Sequence, residues 1–337
     1  MSSSKNPILK VFLDGLYDDE CVLSKLQGCP HILHNIWNDV TEYWEEKIKT
    51  PEDYEYEYEE YEGSWSRFYV APIYGQIEFP EPMSININMM PFYVGETFEA
   101  CKLPQNLKPY WKLIQLCISP ELNRKQSDRI KIIHQWKSDI GKVYFLTIQE
   151  SLVKTGESQR RPGLHVDSPG VVNIKNQDEE DVLGYKGKGW VEECSEYHWG
   201  EGCGHVVGKN DTDTYLDFIG GIYIASNISD SCRVWNCEVD PEAVGKHGDI
   251  EHLRWAMPND GKVMDGNQIY WITDRTPHES LPLSNEEYRQ FFRIVTSKVS
   301  FWYKDHSTPN PLGVVADPNF TKIVVGNKFS DEGVEIV

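Results

Sequence analysis

Gly266-Asn267-Gln268-Ile269-Tyr270-Trp271-Ile272-Thr273 decides the fold. Four consecutive β-branched or aromatic residues are bounded by turn formers upstream and by Asp274-Arg275-Thr276-Pro277 downstream, too short a run for a helix and typical of a buried strand. Runs of the same kind recur at Val143-Tyr144-Phe145-Leu146-Thr147-Ile148, Gly221-Ile222-Tyr223-Ile224-Ala225, Arg233-Val234-Trp235 and Phe291 to Tyr303. Glycine, Asn-Asp and proline clusters separate them, and no helical pattern intervenes. That arrangement predicts a β-sandwich or barrel rather than a parallel βαβ sheet.

Upstream, the pattern changes. Leu9, Phe12, Leu13 and Leu16, then Ile32, Ile36, Val40, Tyr43 and Trp44, recur at helical spacing over Pro7 to Ile48. Tyr110, Trp111, Leu113, Ile114 and Leu116, followed by Ile130, Ile132, Ile133 and Trp136, predict two further helices on either side of Ser119-Pro120. The fold class expected is therefore α+β, mainly β. A single domain would comprise a mainly helical support region (1–142), a double-sheet jelly-roll core (143–305) and a C-terminal extension (306–337).

The chain has 337 residues and a formal net charge of −20 with a pI near 4.9. Such a surface repels phosphate backbones and anionic lipid, so nucleic acid is not an expected partner. Much of the acidity lies in the run from Glu52 to Glu62, where Tyr and Glu alternate; a solvated loop is expected there, with a half-buried strand as the alternative. The first residues lack the pattern of a secretory signal, and no stretch is apolar for long enough to cross a bilayer, so a cytoplasmic, membrane-free protein is expected. Eight scattered cysteines in a chain of this length predict reduced thiols.

The residues that carry chemistry are His165-Val166-Asp167 and the distant His278. Two imidazoles and a carboxylate are the ligand set of a facial triad, which binds a redox metal and leaves positions open for a substrate and O₂. On a strand, residues two apart point to one face, so His165 and Asp167 can reach one ion. His278 follows the Ile269–Ile272 run, which places it at a strand end. Arg289 and Arg293 then share parity along the next strand, and a guanidinium in the same cavity can hold a carboxylate bidentately.

In this order of H-x-D, distant His and later Arg, the chain resembles the Fe(II)- and 2-oxoglutarate-dependent dioxygenases over roughly residues 143 to 305. The resemblance implies a double-stranded β-helix in which His165, Asp167 and His278 bind Fe(II). It also implies that Arg293, favoured because it lies inside the apolar strand, or Arg289 grips the distal carboxylate of 2-oxoglutarate. Two arginines eleven and fifteen positions after the distal histidine are similar to the taurine and clavaminate branches, where one serves the cosubstrate and the other an anionic substrate. The expected activity is O₂-dependent hydroxylation, desaturation or cyclisation of a small carboxylate-bearing or amino-acid-derived molecule, with release of succinate and CO₂.

Each of these residues also has a plainer reading. A single buried histidine is more often structural than a ligand, and Arg289 or Arg293 alone could pair with a surface acid. Arg160 and Arg161 are candidate steering groups for an anionic substrate or simply turn charges. Gln149, Glu150 and Asn227 are candidate cavity residues or edge and turn residues. Cys194, His198, Cys203 and His205 offer soft ligands for a structural zinc at an unfamiliar spacing, and the Gly- and Trp-rich stretch 184–205 has the composition of a lid. The rival readings are a protein side-chain hydroxylase, a non-catalytic jelly-roll binding module and a zinc-stabilised interaction protein.

Overall fold

Six antiparallel strands form the centre of the molecule, in the order Val70–Tyr74, Ile269–Ile272, Ile222–Ser226, Glu287–Val295, Val143–Val153, Asn86–Tyr93. The computed structural model describes residues 44–54, 56–58, 63–118, 130–132, 139–168, 174–175, 197–209, 214–326, 328–329 and 334–336. The expected β runs all fall on strands; the Phe291 to Tyr303 run divides into Glu287–Val295 and Phe301–Tyr303.

Period-two alternation sorts the side chains of this sheet into two cores. Tyr223, Leu146, Ile148, Trp271, Phe292 and Ile294 face one side, whereas Ile222, Ile224, Phe145, Tyr270, Ile272 and Val295 face the other. Both faces are thus covered, which is why Ile269–Ile272 is apolar without interruption. Burying each large side chain contributes roughly 1.5–3 kcal/mol. The helix Trp111–Ile118 lies on the first face through Leu113, Ile114, Leu116 and Cys117.

The second face looks toward a smaller antiparallel sheet of Lys262–Val263, Cys232–Val234 and His278–Ser280. His165 extends that sheet by exchanging backbone hydrogen bonds with His278, at 3.0 Å and 2.9 Å. The architecture is mainly β, with antiparallel sheets stacked as in a sandwich. The candidate site lies between the two sheets.

Several expectations need correction. Within 1–142 the described residues are not mainly helical: Val70–Tyr74 and Asn86–Tyr93 are the two edges of the central sheet, and Gly63–Phe68 belongs to a five-stranded sheet. The support region therefore supplies part of the core. Pro72 and Pro91 obscured these strands; both are on edges, where a missing N–H costs no ladder bond. The second edge also carries a bulge between Ile87 and Met90, which breaks the alternation.

The second of the two expected helices is likewise corrected at its start, since Ile130–Ile132 is a strand parallel to Thr214–Leu216. Ile133 and Trp136 lie outside the described residues, as does Pro7 to Tyr43. Of the acidic run, Tyr56–Tyr58 is a strand paired with Gly63–Trp65, so the alternation of Tyr and Glu marked a strand rather than a loop there. Among the described residues, no helix is long and apolar enough to cross a membrane. Cys101, Cys117, Cys203, Cys232 and Cys237 are free thiols.

Candidate metal centre and anion cavity

Leu164 to Ser168 alternates sides as its sequence predicts. Leu164 and Val166 are fully buried in a third apolar cluster with Trp235, Val239, Ile250 and Leu253. His165 and Asp167 consequently point the other way, into a cavity of about 310 Å³. The segment is pinned along its length: Val166 N–H donates to the Gly248 carbonyl at 2.9 Å and Ser168 N–H to the Asp274 carbonyl at 2.8 Å. Gly248 has φ +81°, and a Cβ there would collide with the Val166 carbonyl oxygen.

The two imidazoles stand with ring centroids 4.5 Å apart. His165 Nδ1 lies 2.7 Å from the Gly163 carbonyl oxygen and His278 Nδ1 lies 2.9 Å from that of Thr276. A carbonyl only accepts, so each Nδ1 carries the proton and each Nε2 presents a lone pair. A backbone carbonyl that accepts from Nδ1 fixes the tautomer and orientation of an imidazole, as it does for histidines in many metal sites. Burial, with the mutual repulsion of the rings for His165, lowers both pKa values and so favours the neutral form of each ring. Neutral imidazole is the form that binds a metal.

Asp167 completes the group. Its Oδ2 is 3.9 Å from His278 Nε2 and, although buried, has no hydrogen-bond partner. Burial alone would raise this carboxyl, but Arg293 first, then His278 and Lys328, hold it well below the usual carboxylate range. Arg293 Nη1 donates to the other oxygen, Oδ1, at 2.7 Å. An orphaned anionic oxygen beside two oriented Nε2 lone pairs fits a divalent cation, since a buried unpartnered charge is otherwise costly. As the side chains stand, no three His, Cys, Asp or Glu groups among the described residues are gathered tightly enough to hold an ion; Asp167 is turned toward Arg293.

On the opposite wall, alternation along Glu287–Val295 sends Arg289, Phe291 and Arg293 into the cavity and Gln290, Phe292 and Ile294 to the far side. Both arginines reach the cavity, as their parity required. Their partners differ. Arg293 is ion-paired with Asp167, whereas Arg289, 1% exposed, donates to the hydroxyls of Ser226 at 3.2 Å and Ser280 at 3.3 Å and lies 5.7 Å from the centre of the Phe291 ring. Burial pushes Arg289 down to about 10.

Gln149 and Arg161 line the cavity too, Gln149 accepting from Arg160 Nη1 at 3.1 Å and Arg161 pairing with Asp249 at 3.0 Å. Glu150, one residue on, faces away and accepts from Tyr110, Gln290 and the Met83 and Ile85 amides. Asn227 is not in the wall: its amide bridges the Tyr288 carbonyl and the Gln290 N–H, latching two strands as a turn former does. Of the proposed zinc ligands, His198 bonds Asp274 at 2.9 Å rather than a thiol, and Cys203 lies 3.6 Å from His205. Cys194 and the stretch 184–196 lie outside the described residues.

Sequence reasoning missed Asn86, Asn88, His306, Lys328 and Phe329 in the lining. The Lys328 ammonium sits 4.0 Å over the Trp199 ring and 3.3 Å from the Asp167 carbonyl oxygen. Burial is the main influence on it, and the nearby guanidiniums outweigh enough of the Asp167 attraction to leave it at about 7. Burial also lowers His306, to about 4, with Lys328 next in importance. No motif pointed to these residues: Asn86 and Asn88 lie on the edge strand that Pro91 and the bulge obscure, and His306, Lys328 and Phe329 lie in irregular segments. Comparison of the chain with family models, with curated proteins and with solved structures finds no match.

Proposed function

We propose that the chain is an Fe(II)- and 2-oxoglutarate-dependent oxygenase of a small anionic molecule, built on a jelly-roll core. The observation that carries this reading is the pairing of two features across one cavity. One wall presents two Nε2 lone pairs and an unpartnered Asp167 oxygen; the other presents a buried arginine with no carboxylate partner among the described residues.

His165, Asp167 and His278 would hold Fe(II) through nitrogen and oxygen, leaving positions for the 2-oxo acid and O₂. When bound, the metal and 2-oxoglutarate supply the oxidation of a substrate C–H bond, with the cosubstrate leaving as succinate and CO₂. Arg289 takes the distal carboxylate, reversing the preference that strand position gave to Arg293. Its guanidinium already stands between Ser226 and Ser280, so a carboxylate arriving there gains charge-assisted hydrogen bonds without reorganisation of the wall. Arg293 instead orients Asp167. The cavity volume suits a small molecule better than a protein side chain presented in an open groove.

The test is turnover under air with Fe(II), 2-oxoglutarate and a panel of amino-acid-derived and other small carboxylates. Succinate release that requires all three components and disappears in His165→Ala is the expected result. No coupled release across the panel, or release unchanged in His165→Ala, overturns the reading.

A further inference from the structure

Three cations in the cavity wall have no carboxylate partner among the described residues, in a chain whose net charge is −20. Of the five that line it, Arg293 is paired with Asp167 and Arg161 with Asp249. Arg289 meets the Ser226 and Ser280 hydroxyls and, at 5.7 Å, the Phe291 ring. Arg160 meets the Gln149 amide oxygen and, at 4.8 Å, the Phe291 ring. Lys328 meets the Asp167 backbone carbonyl and the Trp199 ring. Asp167 is the sole carboxylate among the lining residues. Acidic side chains are abundant elsewhere on this chain, so leaving three enclosed cations facing one another is an arrangement that bound anions would relieve.

Resting on the reading above, one of the three, Arg289, is assigned to the cosubstrate. We infer that Arg160 and Lys328 form a second anion subsite, which selects substrates bearing a doubly charged anionic head such as a phosphate, a sulfate or paired carboxylates. Arg160, and Lys328 in the ammonium form that a bound dianion favours, give two positive charges of different geometry that match such a head. The guanidinium of Arg160 offers a planar fork, and the ammonium of Lys328 a point charge held over an aromatic face. Lys328 and Phe329 come from the C-terminal segment just beyond Lys322–Val325, so that segment sets specificity rather than merely following the core. Phe329 also lies between His247 and His306, with ring centroids at 5.6 Å and 5.1 Å, which fixes where Lys328 enters.

The experiment is anaerobic titration calorimetry of the full chain with sulfate and with acetate, in the metal-free form and again with Fe(II) and 2-oxoglutarate bound. Sulfate is expected to bind both forms, at least tenfold more tightly than acetate. Arg160→Met and Lys328→Met should each weaken sulfate tenfold or more while leaving 2-oxoglutarate affinity within threefold, and Lys328→Arg should retain sulfate binding. Absence of sulfate binding, sulfate affinity unchanged in both methionine variants, or equal loss of 2-oxoglutarate affinity overturns the subsite. If sulfate behaves as expected in the metal-free form while Fe(II) and 2-oxoglutarate fail to bind, the subsite stands and the oxygenase reading falls.

Discussion

Arg289 and Arg293 lie four residues apart on one strand face, yet their surroundings give them different work. Removing the charge of Arg289 takes away the candidate partner of the cosubstrate carboxylate and leaves Asp167 untouched. Arg289→Met should therefore raise the Kd for 2-oxoglutarate by about 100-fold, as expected for loss of a charge-assisted pair worth roughly 2–3 kcal/mol, with metal affinity nearly unchanged. Arg293→Met has the opposite signature. It strands the buried Asp167 carboxylate and should cost about 3 kcal/mol of stability in the metal-free protein, measured by urea unfolding. Equal effects of the two variants on 2-oxoglutarate binding would show that the division of labour is wrong.

Elements hold these residues in place through groups outside the cavity. Glu150, on the same strand as Gln149 but facing the far core, accepts four hydrogen bonds, three of which tie the central sheet to Tyr110 and to the Met83–Ile85 segment and one of which comes from Gln290 on the neighbouring strand. Burial would raise its pKa, but those donors lower it on balance. Because the folded pKa is depressed, Glu150 contributes stability above the unfolded value of about 4.3, and that contribution is lost as pH falls through the folded pKa. Glu150→Gln should be less stable than the parent at pH 7, and the gap should narrow in acid unfolding series below about pH 4. Gly248 acts on the ligand segment directly. Gly248→Ala should cost about 2–4 kcal/mol, since the new Cβ meets the Val166 carbonyl at a positive φ. It should also weaken metal binding by displacing Asp167, whereas thermal unfolding and metal affinity both unchanged would contradict that placement.

At the scale of the molecule, the central sheet is covered on both faces, and Trp271 lies fully buried at its heart with Nε1–H donating to the Gly220 carbonyl at 2.8 Å. Trp271→Ala should cost about 3–5 kcal/mol. How much of this organisation the sequence discloses follows from periodicity. Ile269–Ile272 and its companion runs were legible because a strand buried on both faces is apolar throughout. His165, Asp167, Arg289 and Arg293 were legible because residues two or four apart on a strand share a face. The edge strands were hidden by Pro72, Pro91 and a bulge, each of which interrupts a pattern without interrupting the sheet. Lys328 and His306 were hidden for another reason: they reach the cavity from irregular segments, where no period exists to read, and only the folded chain brings them into one lining with Asp167. Asn227 misled because a turn former and a cavity amide look alike in sequence.

The central claim is that His165, Asp167 and His278 form a site for Fe(II) that also admits 2-oxoglutarate. Anaerobic addition of Fe(II) and then 2-oxoglutarate to the full chain, followed by visible absorption, tests it most directly. A metal-to-ligand charge-transfer band that appears only with both components, saturates at one metal per chain and is absent in His165→Ala and Asp167→Ala is the predicted result. A spectrum without that band at saturating Fe(II) and 2-oxoglutarate, or a band that persists in those variants, would contradict it.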